Sequence, residues 1–151
     1  MNVITITGGK KKQRELTKDV VDYCIRRLMP RTKSLRIDIE LSKMSDLDGA
    51  CLSNTHRDFE IELSSTLGQY DFITTICHEM VHVKQYAAKQ LVDKHGAMKN
   101  WKTKMYNENR TKYMNLPWEK EAYHLQDVLY EEYIAYDVPE INRPIKNLFV
   151  L

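Results

Sequence analysis

The chain is poor in the features that would set it apart from an ordinary folded domain. Only three cysteines, Cys24, Cys51 and Cys77, are scattered through 151 residues, and none has C-x-x-C spacing. So odd and sparse a set excludes a disulfide framework and fits reduced thiols in a cytoplasmic protein. No apolar run reaches the roughly 18 residues that a membrane helix requires. The start, Met1-Asn2-Val3-Ile4-Thr5, lacks the basic opening and long apolar core of a signal peptide. An excess of one charge is missing too: 29% of residues are charged, yet the net charge is +2. No global field therefore draws the chain to nucleic acid or to a membrane. Repeats and low-complexity stretches are absent. The length suits one domain, residues 1–151, with a core of its own.

Hydrophobic periodicity divides the chain into elements. Residues 3–7 alternate apolar and polar and end at Gly8-Gly9, which predicts a short strand and a turn. Leu16, Val20, Cys24 and Leu28 fall at helical spacing between Glu15 and Met29, and Pro30 closes that helix. Leu35–Leu41 and Asp58–Leu63 alternate cleanly, and residues 50–56 form a weaker strand candidate between them. The first sixty-odd residues thus predict an α+β fold in which one helix lies against a small, mostly antiparallel sheet. A second helix is expected from about Gln69–Asp71 to Leu91, its broad apolar face carrying Phe72, Ile73, Ile76, Met80 and Val81. A third runs from Trp118 to about Tyr136, with Pro117 at its start. Between them, Lys84–Lys112 holds eight Lys/Arg against Asp93 and Glu108. It reads as an irregular or partly helical surface excursion. Pro139 and Pro144 break the tail, and Leu148–Leu151 is expected to dock on the body.

The chemistry concentrates in His78-Glu79-Met80-Val81-His82. On a helix, positions i and i+4 lie one above the other, so both imidazoles reach a single Zn²⁺ while Glu79 stands beside them. Cys77 adjoins His78 but points about 100° away, which predicts core packing. Catalytic zinc takes three protein ligands and keeps one position open. The third must come from elsewhere, and His95, Glu119, Glu121 and His124 are the candidates. A purely structural site, closed by four protein ligands, would have no need of Glu79 as a base.

Two stretches beyond that motif carry a family resemblance. His95-Gly96, thirteen residues after His82, resembles the His-Gly pair of SprT and Spartan metalloproteases, although the aromatic that follows, Trp101, comes later than in that family. Pro117-Trp118-Glu119-Lys120-Glu121-Ala122 resembles the E-x-x-A segment by which gluzincin peptidases supply a glutamate ligand. Here Tyr123 stands where several of them have Asp or Asn. Over residues 70–125 the chain resembles SprT-like and minigluzincin H-E-x-x-H metallopeptidases, most closely phage and bacterial SprT-like proteins with a Pro-Trp-Glu-x-Glu-Ala segment. The resemblance implies a zincin-like fold, one Zn²⁺ per chain held by His78, His82 and Glu119, and Glu79 as general base. It implies hydrolysis of peptide or protein substrates, with strand Asp58–Leu63 edging the cleft and pairing with the substrate. Tyr113, Tyr123 and His124 are left as candidates to stabilise the oxyanion. A second class of function also stands. Lys10–Lys12 and the basic segment 84–112, with Trp101 and Tyr106 interleaved, could contact phosphates and stack bases, as in a DNA-associated protease.

Overall fold

The computed structural model describes residues 1–137; the expectations for Pro139, Pro144 and Leu148–Leu151 lie outside the described residues. Strand β1 (Val3–Gly8) passes through Gly8-Gly9 into helix α1 (Lys11–Leu28). Gly8 has φ +80°, and a Cβ there would sit 2.1 Å from the Leu41 carbonyl oxygen. Only glycine lets β1 end against its neighbour in this way. Helix α1 carries the chain back to β2 (Arg36–Ser42), which pairs with β1 in parallel. Strands β3 (Gly49–Thr55) and β4 (Asp58–Ser64) form an antiparallel hairpin, and β4 inserts parallel beside β2. The order is β1-β2-β4-β3.

The α+β architecture is the expected one, but the pairing in this sheet is not mostly antiparallel: two of its three pairings are parallel. The crossover through α1 makes the first parallel, as a connection of that length allows. Side-chain content explains the second. Strands β2 and β4 each turn three large apolar residues inward, Ile37, Ile39 and Leu41 beside Phe59, Ile61 and Leu63, all buried. They take the centre. Strand β3 offers Gly49, Ala50 and Cys51 and leaves Leu52 exposed, so it takes the edge.

Helices α1 and α2 (Gln69–Ala87) pack against the sheet and against each other. Leu16, Val20 and Cys24 of α1 are buried with Ile73, Ile76, Cys77 and Met80 of α2. Cys77 is a core residue, as its helical angle predicts, with its Sγ 3.9 Å from that of Cys24. The third helix, α3 (Pro117–Glu132), followed by a π-helical turn at Tyr133–Asp137, packs on α2. With the sheet on one side and α3 on the other, α2 is buried almost all round.

The basic segment is more regular than expected. It folds into a second, antiparallel sheet of β5 (Leu91–Asp93), β6 (Met98–Trp101) and β7 (Lys104–Asn107). Its tight turn is Lys102-Thr103, both at positive φ, +47° and +76°. Such a turn usually announces itself with Asn or Gly, and neither is present. Trp101 of β6 is buried against Trp118 of α3, ring centroids 6.3 Å apart, and Tyr106 meets Trp118 edge-on at 5.6 Å. The aromatics of this segment thus pack inward. No helix among the described residues is long and apolar enough to cross a membrane.

An ion pair ties the end of α1 to α3. Arg27 Nε lies 2.8 Å from Glu132 Oε2, to which the Tyr23 hydroxyl also donates at 2.6 Å. Hydrogen bonds from Arg27 and then Tyr23 hold the Glu132 carboxyl below its ordinary value. A lowered folded-state pKa stabilises above the unfolded value and is lost as pH falls through the folded one. Glu132→Gln is therefore expected to cost up to about 1 kcal/mol at neutral pH, the ceiling for an exposed pair. That difference should shrink toward zero as the pH falls below about 4. Denaturant unfolding of both proteins across that range checks it; a pH-independent difference would contradict the account.

Candidate metal centre

His78 and His82 lie one turn apart on α2, both buried, with ring centroids 4.9 Å apart and planes nearly perpendicular. Each ring engages an amide oxygen through Nδ1: His78 with Gln126 Oε1 at 2.9 Å, His82 with Gln85 Oε1 at 2.8 Å. That leaves both Nε2 atoms directed at one oxygen of Glu119, at 3.0 and 3.2 Å. The Tyr113 hydroxyl donates to the same oxygen at 2.9 Å. Glu119 is 7% exposed and sits in the first turn of α3, where the helix N-terminus favours an anion.

The electrostatics follow from this crowding. Burial alone would raise the Glu119 carboxyl, but hydrogen bonds from His78, His82 and Tyr113 and the charge of His82 outweigh it and hold the group well below the usual carboxylate range. Burial acts to lower His82, and the Glu119 hydrogen bond and charge overcome it, so the imidazole is raised. Burial raises the Tyr113 phenol, and the adjacent Glu119 charge adds to the effect. Burial likewise raises Glu79, partly offset by the two histidines.

Among the described residues, His78, His82 and Glu119 are the one group of His, Cys, Asp and Glu side chains close enough to share an ion, their ligand atoms all within 4.8 Å of one another. Two imidazole nitrogens and a carboxylate oxygen suit a divalent ion such as zinc and leave a fourth position free. The other candidates are elsewhere. His95 is exposed in the turn between β5 and β6, and His124 is exposed on α3. Glu121 faces α2 but meets Lys84 Nζ at 3.2 Å and Gln85 Nε2 at 3.1 Å.

Glu79 is 6% exposed, and its carboxylate makes no side-chain hydrogen bond among the described residues. It lines two adjoining cavities. The larger, about 510 Å³, lies toward Asp46, Tyr70, His78 and Tyr123. The other, about 260 Å³, lies toward Cys51, His82, Lys99 and Glu119. Tyr113 borders both and is half exposed, so its ring stands at the mouth of the cleft. Strand β4, expected to edge the cleft, is interior, paired on both sides. Of the sheet's two edge strands, β1 and β3, it is β3 whose Gly49, Ala50 and Cys51 line the smaller cavity.

The profile of the SprT-like family matches residues 14–124, which takes in most of α1, strands β2 to β4, the histidine helix, the second sheet and Glu119. The chain belongs to the SprT-like family. No curated protein and no solved structure matches it at a significant level. In this SprT-like protein the side chain that both histidines share is Glu119, and His95 is not part of that group of ligand atoms.

Two contributors were not read from the sequence, the amides of Gln85 and Gln126. The absence of an acid or amide after Ala122 had left the histidines without support. Gln126 supplies it for His78 from seven residues beyond Glu119, two helical turns on and therefore on the same face. Gln85 supplies it for His82 from one turn along α2. Helical spacing from each ligand would have found both. Between Glu119 and Gln126, the fully buried Ala122 keeps that face of α3 flat. Ala122→Leu should overpack it, costing about 1–3 kcal/mol, and weaken metal binding by moving Glu119 from the histidines. Thermal unfolding and chelator competition read the two effects; unchanged values for both would contradict this packing.

Proposed function

We propose that this protein is a zinc-dependent metallopeptidase of gluzincin type, with His78, His82 and Glu119 as ligands and Glu79 as general base. The observation that carries the reading is the convergence of two Nε2 atoms on one Glu119 oxygen, with a buried Glu79, free of side-chain hydrogen bonds among the described residues, opening on the same cleft. A zinc ion bound there supplies Lewis acidity toward the scissile carbonyl and makes water acidic near neutral pH. Glu79 takes the proton of the attacking water and delivers it to the leaving amine. Its raised pKa suits both transfers, since it brings the carboxyl closer to the working pH. Tyr113 is the best placed of the oxyanion candidates: its hydroxyl already reaches Glu119, and its ring borders both cavities. An extended peptide adds to the free edge of β3, which runs beside the cleft.

Purified protein is expected to hold about one zinc per chain. Glu119→Ala should lose it and His95→Ala should keep it, by elemental analysis after dialysis. Glu79→Gln should retain the metal and lose peptide hydrolysis by at least about a hundredfold; wild-type cleavage by that variant would remove Glu79 as the base. Tyr113→Phe is expected to lower kcat by about a hundredfold while KM and zinc content barely change. A fall in zinc content without a kcat effect would instead give Tyr113 a role in holding Glu119.

A further inference from the structure

Resting on the zinc reading above, we infer that Gln85 is a positioning residue that dictates which nitrogen of His82 carries the proton, and that Glu121 acts through it. Gln85 is completely buried. Its Nε2 lies 3.0 Å from the Trp118 carbonyl oxygen and 3.1 Å from Glu121 Oε1. A main-chain carbonyl and a carboxylate offer only lone pairs, so the edge of the amide that meets them must be the NH₂ group. Turning the amide over would set its oxygen against two acceptors with no water to intervene, and both would lose their donor. The Gln85 oxygen is therefore fixed toward His82 Nδ1, 2.8 Å away. Only an N–H can satisfy it there. When a zinc ion replaces the Nε2–H hydrogen bond to Glu119, His82 is thereby held as the Nδ1-protonated tautomer, with its Nε2 lone pair free for the metal.

Both acceptors that lock Gln85 come from the start of α3, as does Glu119 itself. One stretch of chain thus provides a proposed ligand and sets the proton of another. Glu121, an alternative candidate for the ligand, gains a separate task, with Lys84 Nζ at 3.2 Å balancing its charge. The two histidines are not equivalent in this respect. Gln126, beside His78, is only partly buried and has no second side-chain partner among the described residues, so its amide is free to turn.

The asymmetry supplies the test, zinc affinity of the full chain by chelator competition. In Gln85→Glu the new carboxylate has no proton to offer Trp118 or Glu121, so affinity should fall about 10–100-fold. Glu121→Gln alone keeps an acceptor and should stay within about twofold of wild type. Combined with Gln85→Glu, it restores one of the two lost hydrogen bonds with the roles exchanged and should recover part of the loss. Gln126→Glu should bind zinc at least as tightly as wild type, because nothing opposes a carboxylate there. Wild-type affinity in Gln85→Glu, or no recovery in the double variant, overturns the relay. Should Gln85→Glu fail to fold, nitrogen NMR of the zinc-loaded wild type decides: a slowly exchanging Nδ1–H on His82 is expected, and metal on Nδ1 overturns the inference. A wild-type protein that takes up no zinc overturns the metallopeptidase reading itself. Zinc uptake with an unaffected Gln85→Glu overturns the relay alone.

Discussion

The Glu119 carboxylate lies almost wholly out of water, and one of its oxygens faces two imidazoles and a phenol. Burying a carboxylate costs several kcal/mol unless charge and hydrogen bonds compensate it. Here the compensation is assembled from three places: α2 gives the histidines, the turn before α3 gives Tyr113, and the first turn of α3 gives its own peptide dipoles. The dipoles are local to α3, but the two histidines reach Glu119 only once α2 and α3 are docked. Docking the helices and forming the site are one event, and Ala122, by leaving room between them, is as much a part of it as the charged groups.

That docking in turn needs α2 held rigidly from behind. The inward faces of β2 and β4 supply a flat apolar surface, and α1 closes the flank through Cys24 against Cys77. The second sheet completes the arrangement from the other end. Trp118 stands directly before Glu119, wedged between Trp101 and Tyr106. The turn that carries the buried carboxylate is thus anchored by a large aromatic whose position β6 and β7 fix. A segment that looks like a basic surface excursion is therefore a clamp on the first turn of α3. Lys99 points into the cleft and lies over the Tyr86 ring, whereas Lys102 and Lys104 remain outside with their Nζ atoms 4.9 Å from the Trp101 ring centroid and 5.3 Å from that of Tyr106.

Much of this is legible in the residue order, and the exceptions have physical causes. The three helices and four strands of the first half write themselves in period 3.6 and period 2, and His78, Glu79 and His82 follow from helix geometry alone. Glu119 could be named by family likeness but not by geometry, because Glu119 and Glu121 both face α2. They are separated by what they meet there, Nε2 atoms for one and the Gln85 amide with Lys84 for the other, and these are tertiary facts. The parallel pairing of the strands is not legible in the residue order, because alternation fixes which face of a strand is buried and says nothing of its neighbours. The second sheet was missed because its strands are three or four residues long and its tight turn is built from Lys102-Thr103, which carry no turn signal. Burial of Trp101 and Trp118 made up for the strained turn, and a local window cannot see that.

The position of the open edge connects the sheet to the base. Gly49 begins β3, and a Cβ there would fall 2.7 Å from Thr75 Cγ2 of α2. This close approach sets the strand one helical turn from Glu79, on the side of α2 that the cleft exposes. Unpaired strand edges invite unwanted partners, and proteins blunt them with bulges. Strand β3 carries an irregularity between Ser53 and Thr55, at the end remote from the cleft. The regular part, Gly49–Leu52, is the part beside Glu79 and the two cavities. On the reading proposed above, an edge blunted at one end and open at the other would guide an added strand across the buried carboxylate. The same small residues that relegate β3 to the edge, glycine, alanine and cysteine, line the smaller cavity beside Glu79 and keep that side of the cleft open.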